Sequence, residues 1–218
     1  MPRTFDRRLS FKTAFAGAVA LLLTVGAAAH GQPGPADQSR VEQIVLHPLY
    51  EQPYTCSEHW ADQLPMLGDA LGTDCMVIGR VETETNGFFM SPYRGDGRRN
   101  EDWYGFGARV LAPFSGEVVH VASQTENATP GVLGRPPASI LVFRRDDGLM
   151  AIYAHVTAPL VQRGDRVQAG QAVAHVGNNG YSRAPHIHAG AWRDTQALQI
   201  VWDLKAYADQ VGAQNEGP

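Results

Sequence analysis

The chain has 218 residues, 44% of them apolar, and a formal net charge of −4, which provides for one ordinary hydrophobic core with an extension. An acidic balance excludes nucleic acid as the expected partner. The two cysteines, Cys56 and Cys75, are too far apart for a CxxC-type redox or zinc motif and read as the disulfide of an exported protein.

Arg3, Arg7, Arg8 and Lys12 precede an apolar run over residues 14–29 that closes on Ala27-Ala28-Ala29. Charged, apolar and small-residue stretches in that order read as a secretory signal peptide (residues 1–29) cleaved near Ala29. The run is short for a membrane span and no second one follows, so no span is expected once the signal is removed. Removal takes away four basic residues and Asp6, moving the net charge from −4 to −7. A secreted or periplasmic location is expected.

Residues 30–95 read as a linker and an arm pinned by the disulfide. The Gly- and Pro-rich stretch 31–40 is a flexible lead-in. Residues 41–46 fit a strand or a short helix, and Trp60, Leu64, Leu67 and Leu71 fall at helical spacing within 56–71. His47 and His59, both in this arm, read as surface or capping residues.

Residues 87–100 read as a loop leading into Glu101-Asp102-Trp103-Tyr104. From there the pattern turns β: residues 107–113, 116–122, 139–144 and 149–155 are short runs of aliphatic and aromatic residues separated by turn residues. Asp147-Gly148 is a hairpin signal. The fold class expected is mostly β, with an antiparallel sheet curled into a β-sandwich or partial barrel over residues 96–192. Residues 193–218 form a C-terminal extension, where Leu204, Tyr207, Ala208 and Val211 predict a helix capped by Asp203.

Residues 177–192 read GNNGYSRAPHIHAGAW. In an extended segment His186 and His188 project from one face while Ile187 points the other way into a core. Two imidazoles on one face make half of a metal site. His120 and His175 lie on other strands and read as solvent-facing.

Three blocks, YAHV at 153–156, GDRVQAGQAVAHVGNNG at 164–180 and APHIH at 184–188, resemble the LytM/lysostaphin-type zinc metalloendopeptidases of bacterial peptidoglycan, whose fold is of the duplicated hybrid motif type. The resemblance covers roughly residues 97–192. It implies zinc held by a first His, an Asp four residues later and the second His of HxH. On this chain it makes His188 a zinc ligand, Asp102 the carboxylate ligand, and His155 and His186 the catalytic pair. The first histidine has no counterpart: Arg98 stands four residues before Asp102 and Gly97 four before Glu101, and Asn100 takes the ligand position when the Gly-Arg lead-in is matched.

Two functions follow from the resemblance. One is a secreted zinc endopeptidase cleaving peptidoglycan stems or cross-bridges. The other is a catalytically degenerate relative that binds peptidoglycan or activates a partner cell-wall hydrolase, a reading that rests on the missing histidine. A biotinyl or lipoyl carrier domain, whose glycine pattern resembles residues 161–171, needs a hairpin lysine, and the only lysines are Lys12 and Lys205.

Overall fold

The structure, a computed structural model, describes residues 41–215 apart from residues 62 and 125. The expected signal peptide lies outside the described residues. In chain order the strands are β1 (Gln43–Leu46), β2 (Tyr54–Glu58), β3 (Thr73–Val77), β4 (Gly79–Glu82), β5 (Phe88–Ser91), β6 (Arg109–Leu111), β7 (Gly116–Ala122), β8 (Ile140–Arg144), β9 (Met150–Ala154), β10 (Val156–Thr157), β11 (Arg166–Val167), β12 (Ala172–Val176), β13 (Ile187–Arg193) and β14 (Gln196–Trp202). One helix, α1 (Leu204–Asn215), follows. No helix among the described residues is long and apolar enough to cross a membrane.

The expected mostly β architecture holds, as a curled sheet of nine strands in the order β1-β14-β13-β9-β8-β7-β11, with β3 also paired to β13 and β2 to β3. A three-stranded sheet, β10-β12-β6, and the β4–β5 hairpin complete it. The core lies on the inward side of the alternating strands. On β8, Leu141 and Phe143 are fully buried while Ile140 and Val142 are half-exposed, the period-2 pattern of a sheet with one covered face.

Asp147-Gly148 closes the β8–β9 hairpin, with Gly148 at φ +85, a left-handed conformation that glycine adopts at no steric cost. Asp203 Oδ1 accepts from the backbone N–H groups of Lys205 and Ala206 at 3.0 Å each, capping α1 as expected.

Three features differ from the sequence expectation. Residues 56–71 form no helix: the chain runs as β2 and then through turns, Pro65 interrupts any helical ladder, and Trp60 and Leu64 are 71% and 36% exposed, so the apolar spacing marks no buried face. The extension after Trp192 holds a full strand, β14, whose Leu198 and Ile200 point into the core. The sheet is also not purely antiparallel, because β1 pairs with β14 in parallel.

The disulfide forms, joining Cys56 and Cys75, which stand opposite each other in the β2–β3 ladder. Tyr50, fully buried, donates its hydroxyl to Cys75 O at 2.8 Å from beneath. Residues from the expected arm thereby become a wall of the main sheet beside β13.

Candidate metal centre

β13 lies between β3 and β9, and the register sets His188 opposite Asp74 on one side and Ala154 on the other. Ile187 is fully buried in the core. His186 and His188 therefore share the opposite face, as the alternation predicts, and both reach Asp74 Oδ1: His188 Nδ1 at 2.9 Å and His186 Nε2 at 3.6 Å. His59 follows directly after β2. Its backbone N–H donates to Gly72 O at 2.8 Å, and its Nε2 stands 3.4 Å from Asp74 Oδ2. One donor atom from each of His59, Asp74 and His188 falls within 4.8 Å of the others.

The other ring nitrogen of His188 faces the turn before β3, with Nε2 3.1 Å from Asp69 Oδ1 and 3.4 Å from Gly68 O. That turn fits closely. A Cβ on Gly72 would sit 2.9 Å from His188 Cε1, so glycine is what allows the backbone to approach the ring edge.

His155 completes the cluster from the β9–β10 junction, its ring centroid 4.6 Å from that of His186. Its φ of +65 is a left-handed conformation that a side-chain-bearing residue adopts only when its surroundings compel it. Asn179 does the compelling: its backbone O accepts from His155 Nδ1 at 2.6 Å, and its amide donates to Val156 O at 2.7 Å and accepts from Ser139 N at 2.7 Å. His186 Nδ1 is likewise held, donating to Ala184 O at 2.7 Å. In both rings a carbonyl fixes a proton on Nδ1; Nε2 of His155 is left free, while Nε2 of His186 points at Asp74 Oδ1.

These surroundings separate the charges. Burial penalises the Asp74 carboxylate, but hydrogen bonds from His186 and His188 outweigh it and hold the group well below the usual carboxylate range. Burial also opposes a charged His188, yet Asp69 and Asp74 win and raise it to about 9. His155 has no carboxylate against it: burial first, and then the neighbouring His186, lower it to about 4, so it is neutral near pH 7.

The donor set fits zinc, the metal implied by the family resemblance. Two imidazoles and one carboxylate converge, and His188 is flanked by carboxylates that favour positive charge at this spot, which suits a cation bound by neutral nitrogen and anionic oxygen.

Asn100 and Asp102, assigned from the sequence as ligands beside His188, are held by other partners. Asp102 accepts from the Arg99 backbone N–H at 3.0 Å and from Arg99 Nη2 at 3.1 Å, closing a local cap on a single helical turn. Those contacts, the backbone one foremost, hold its carboxyl below the ordinary value. The Asn100 amide donates to Ala128 O and accepts from Asn178 Nδ2, each at 2.9 Å. His59, expected at the surface, stands in the cluster instead. His47 and His175 are half-buried and His120 is exposed, as strand and loop histidines outside the cluster.

His59, Asp69 and Asp74 escape sequence reasoning because a four-residue His-to-Asp spacing rejects Asp74, which has Ala70 four places before it. What remains legible is Gly72-Thr73-Asp74 directly before an apolar alternation. His59 is brought to Asp74 by strand pairing, Glu58 standing opposite Thr73, and no local spacing encodes that.

Comparison with known proteins places the histidine blocks. Residues 104–200 match the model for peptidase family M23. An uncharacterized metalloprotease of Haemophilus influenzae is 34% identical over 82 residues, which is 38% of this chain, and the chain spans 15% of the length of that relative. Among solved structures, the catalytic domain of a mutant of the prophage-encoded M23 protein EnpA from Enterococcus faecalis is 20% identical, with a TM-score of 0.44 over 70% of this chain and 92% of that one. The catalytic domain of the antimicrobial peptidase lysostaphin from Staphylococcus simulans is 21% identical, with a TM-score of 0.39 over 66% of this chain and 86% of that one. His155, His186 and His188 all lie inside the segment that matches peptidase family M23.

Proposed function

We propose that the protein is an exported zinc metalloendopeptidase that hydrolyses peptide bonds in the stems or cross-bridges of bacterial peptidoglycan. The observation that carries the reading is the convergence of His59, Asp74 and His188 as a donor set with His155 and His186 alongside. The substrate class is supported by the three sequence blocks and the M23 match. Export is supported by the Cys56–Cys75 disulfide and by the signal-like composition of the first 29 residues.

His59, Asp74 and His188 would hold the zinc, which when bound supplies a Lewis acid that polarises a scissile carbonyl and acidifies water. His155 is neutral with a bare Nε2, the state a general base needs, and can take a proton from an attacking water and return it to the leaving amine. His186 presents Nε2 on the same side, where its lone pair can accept from and orient the attacking water. The carbonyls of Asn179 and Ala184 keep both rings aimed throughout.

A second reading, a binding or activating domain, is favoured by the burial of His155, His186 and His188, each less than a tenth exposed. One experiment separates the two. Metal analysis and muropeptide digestion are carried out on the wild-type chain and on His188→Ala. Bound zinc with cleavage that His188→Ala abolishes supports the peptidase. Intact muropeptides with a zinc-loaded wild type, together with stimulation of an added cell-wall hydrolase, support the activator.

A further inference from the structure

Four groups from residues 68–74, the turn before β3 and the start of β3, meet the edge of the His188 ring in sequence order. Gly68 O and Asp69 Oδ1 face Nε2 at 3.4 and 3.1 Å, Gly72 is packed against Cε1, and Asp74 Oδ1 faces Nδ1 at 2.9 Å. Both groups at Nε2 are acceptors. In the metal-free ring both nitrogens face carboxylate oxygens, Nδ1 that of Asp74 and Nε2 that of Asp69; when a cation takes the place of the Nδ1 proton, the acceptors at Nε2 hold the one remaining proton there and the Nδ1 lone pair is left for the metal. A carboxylate on the far nitrogen also makes the ring a better electron donor at the near one.

We infer that Asp69 is a positioning residue: with the Gly68 carbonyl it fixes the proton of His188 on Nε2, so that Nδ1 is the nitrogen offered to the metal. The inference rests on the zinc reading above and adds a residue outside the ligand set. The turn is built to carry this carboxylate. The Asp69 backbone N–H donates to Met66 O at 2.9 Å, its carbonyl accepts from Gly72 N at 3.0 Å, and that carbonyl also stands 3.3 Å from His59 Nδ1. The backbone of Asp69 thus braces one donor and its side chain another. Since the backbone contacts do not involve the carboxylate, truncating the side chain leaves the turn in place.

The test measures zinc affinity of the full chain by competition with a chromophoric chelator, for the wild type, Asp69→Ala, Asp69→Asn and His188→Ala. It is accompanied by the ¹⁵N signals of His188 in the zinc-loaded protein and by circular dichroism to verify folding. Wild type is expected to bind one zinc with the proton on Nε2. Asp69→Ala is expected to bind about 10- to 100-fold more weakly, and Asp69→Asn, whose amide oxygen still accepts from Nε2, to fall between. A folded Asp69→Ala that keeps wild-type affinity, or a zinc-loaded wild type with the His188 proton on Nδ1, overturns the positioning role while leaving the zinc reading intact. A wild type that binds no zinc overturns both.

Discussion

Asp74 and His188 stand opposite each other across the β3–β13 ladder, with Oδ1 and Nδ1 2.9 Å apart. Sheet register alone brings a carboxylate from residue 74 to a histidine 114 positions later, and the same pairing puts His59 beside them. Replacing Asp74 therefore removes a donor and leaves His188 facing a single carboxylate. Asp74→Ala is expected to lose zinc and all muropeptide cleavage while remaining folded, measured by metal analysis, digestion and circular dichroism.

Asn100→Ala and Asp102→Ala make the reciprocal experiment. Asp102 is engaged by Arg99 and Asn100 by Ala128 and Asn178, so both variants are expected to keep wild-type zinc stoichiometry. Loss of the metal in either would return the ligand role to the turn before Trp103.

The disulfide lies one residue from Asp74 and three from His59 in sequence, joining the strand that carries Asp74 to the one that leads into His59. Cys56→Ser combined with Cys75→Ser is expected to lower stability by about 3 kcal/mol, the loop-closure term for a span of this size. Zinc affinity should fall with it, because the pairing of β2 with β3 is what holds His59 near Asp74. Thermal unfolding and chelator competition, with and without reductant on the wild type, measure both effects.

The histidines give the metal-free protein a stability maximum in pH. His188 is raised from 6.5 to about 9, so its contribution is complete below about pH 6.5 and is lost as pH rises through 9. His155 is lowered from 6.5 to about 4, so the unfolded chain takes up the proton first and stability falls as pH drops from 6.5 toward 4. Each limb is worth on the order of 3 kcal/mol. Denaturant titrations across pH should show the alkaline limb vanish in His188→Asn and the acid limb in His155→Asn. Because zinc displaces the proton of His188, its affinity should climb between pH 6.5 and 9.

Gly72 tests the close packing of the turn. A methyl there would lie 2.9 Å from both His188 Cε1 and Asp69 O and 3.1 Å from Ala189 O, so either the ring or the turn must move. Gly72→Ala is expected to weaken zinc binding at least tenfold and to destabilise the chain by about 1–3 kcal/mol, the range for overpacking, read by chelator competition and thermal unfolding.

Much of the fold is written in local pattern. The alternation of β7, β8 and β9, the Asp147-Gly148 turn and the Asp203 cap each depend on neighbours within a few residues, and each is found where the pattern places it. The shared face of His186 and His188 follows from the same period of two. The acidic half of the site is different in kind. Asp74, Asp69 and His59 reach His188 through strand pairing and one glycine-dependent turn, so their nearness is a property of register, which no spacing within the segment reveals. The helical spacing of Trp60, Leu64, Leu67 and Leu71 misleads for a related reason, since Pro65 and the needs of that turn override it.

The M23 match begins at Tyr104, yet His59, Asp69 and Asp74 all precede it, and β3 supplies the hydrogen-bonding neighbour for the first half of β13. A fragment trimmed to the matched residues would retain His155, His186 and His188 but forfeit His59, Asp69 and Asp74 and expose the β13 edge that β3 covers. The cluster therefore draws on more of the chain than the recognisable part, with β2 and β3 contributing to it from outside the match.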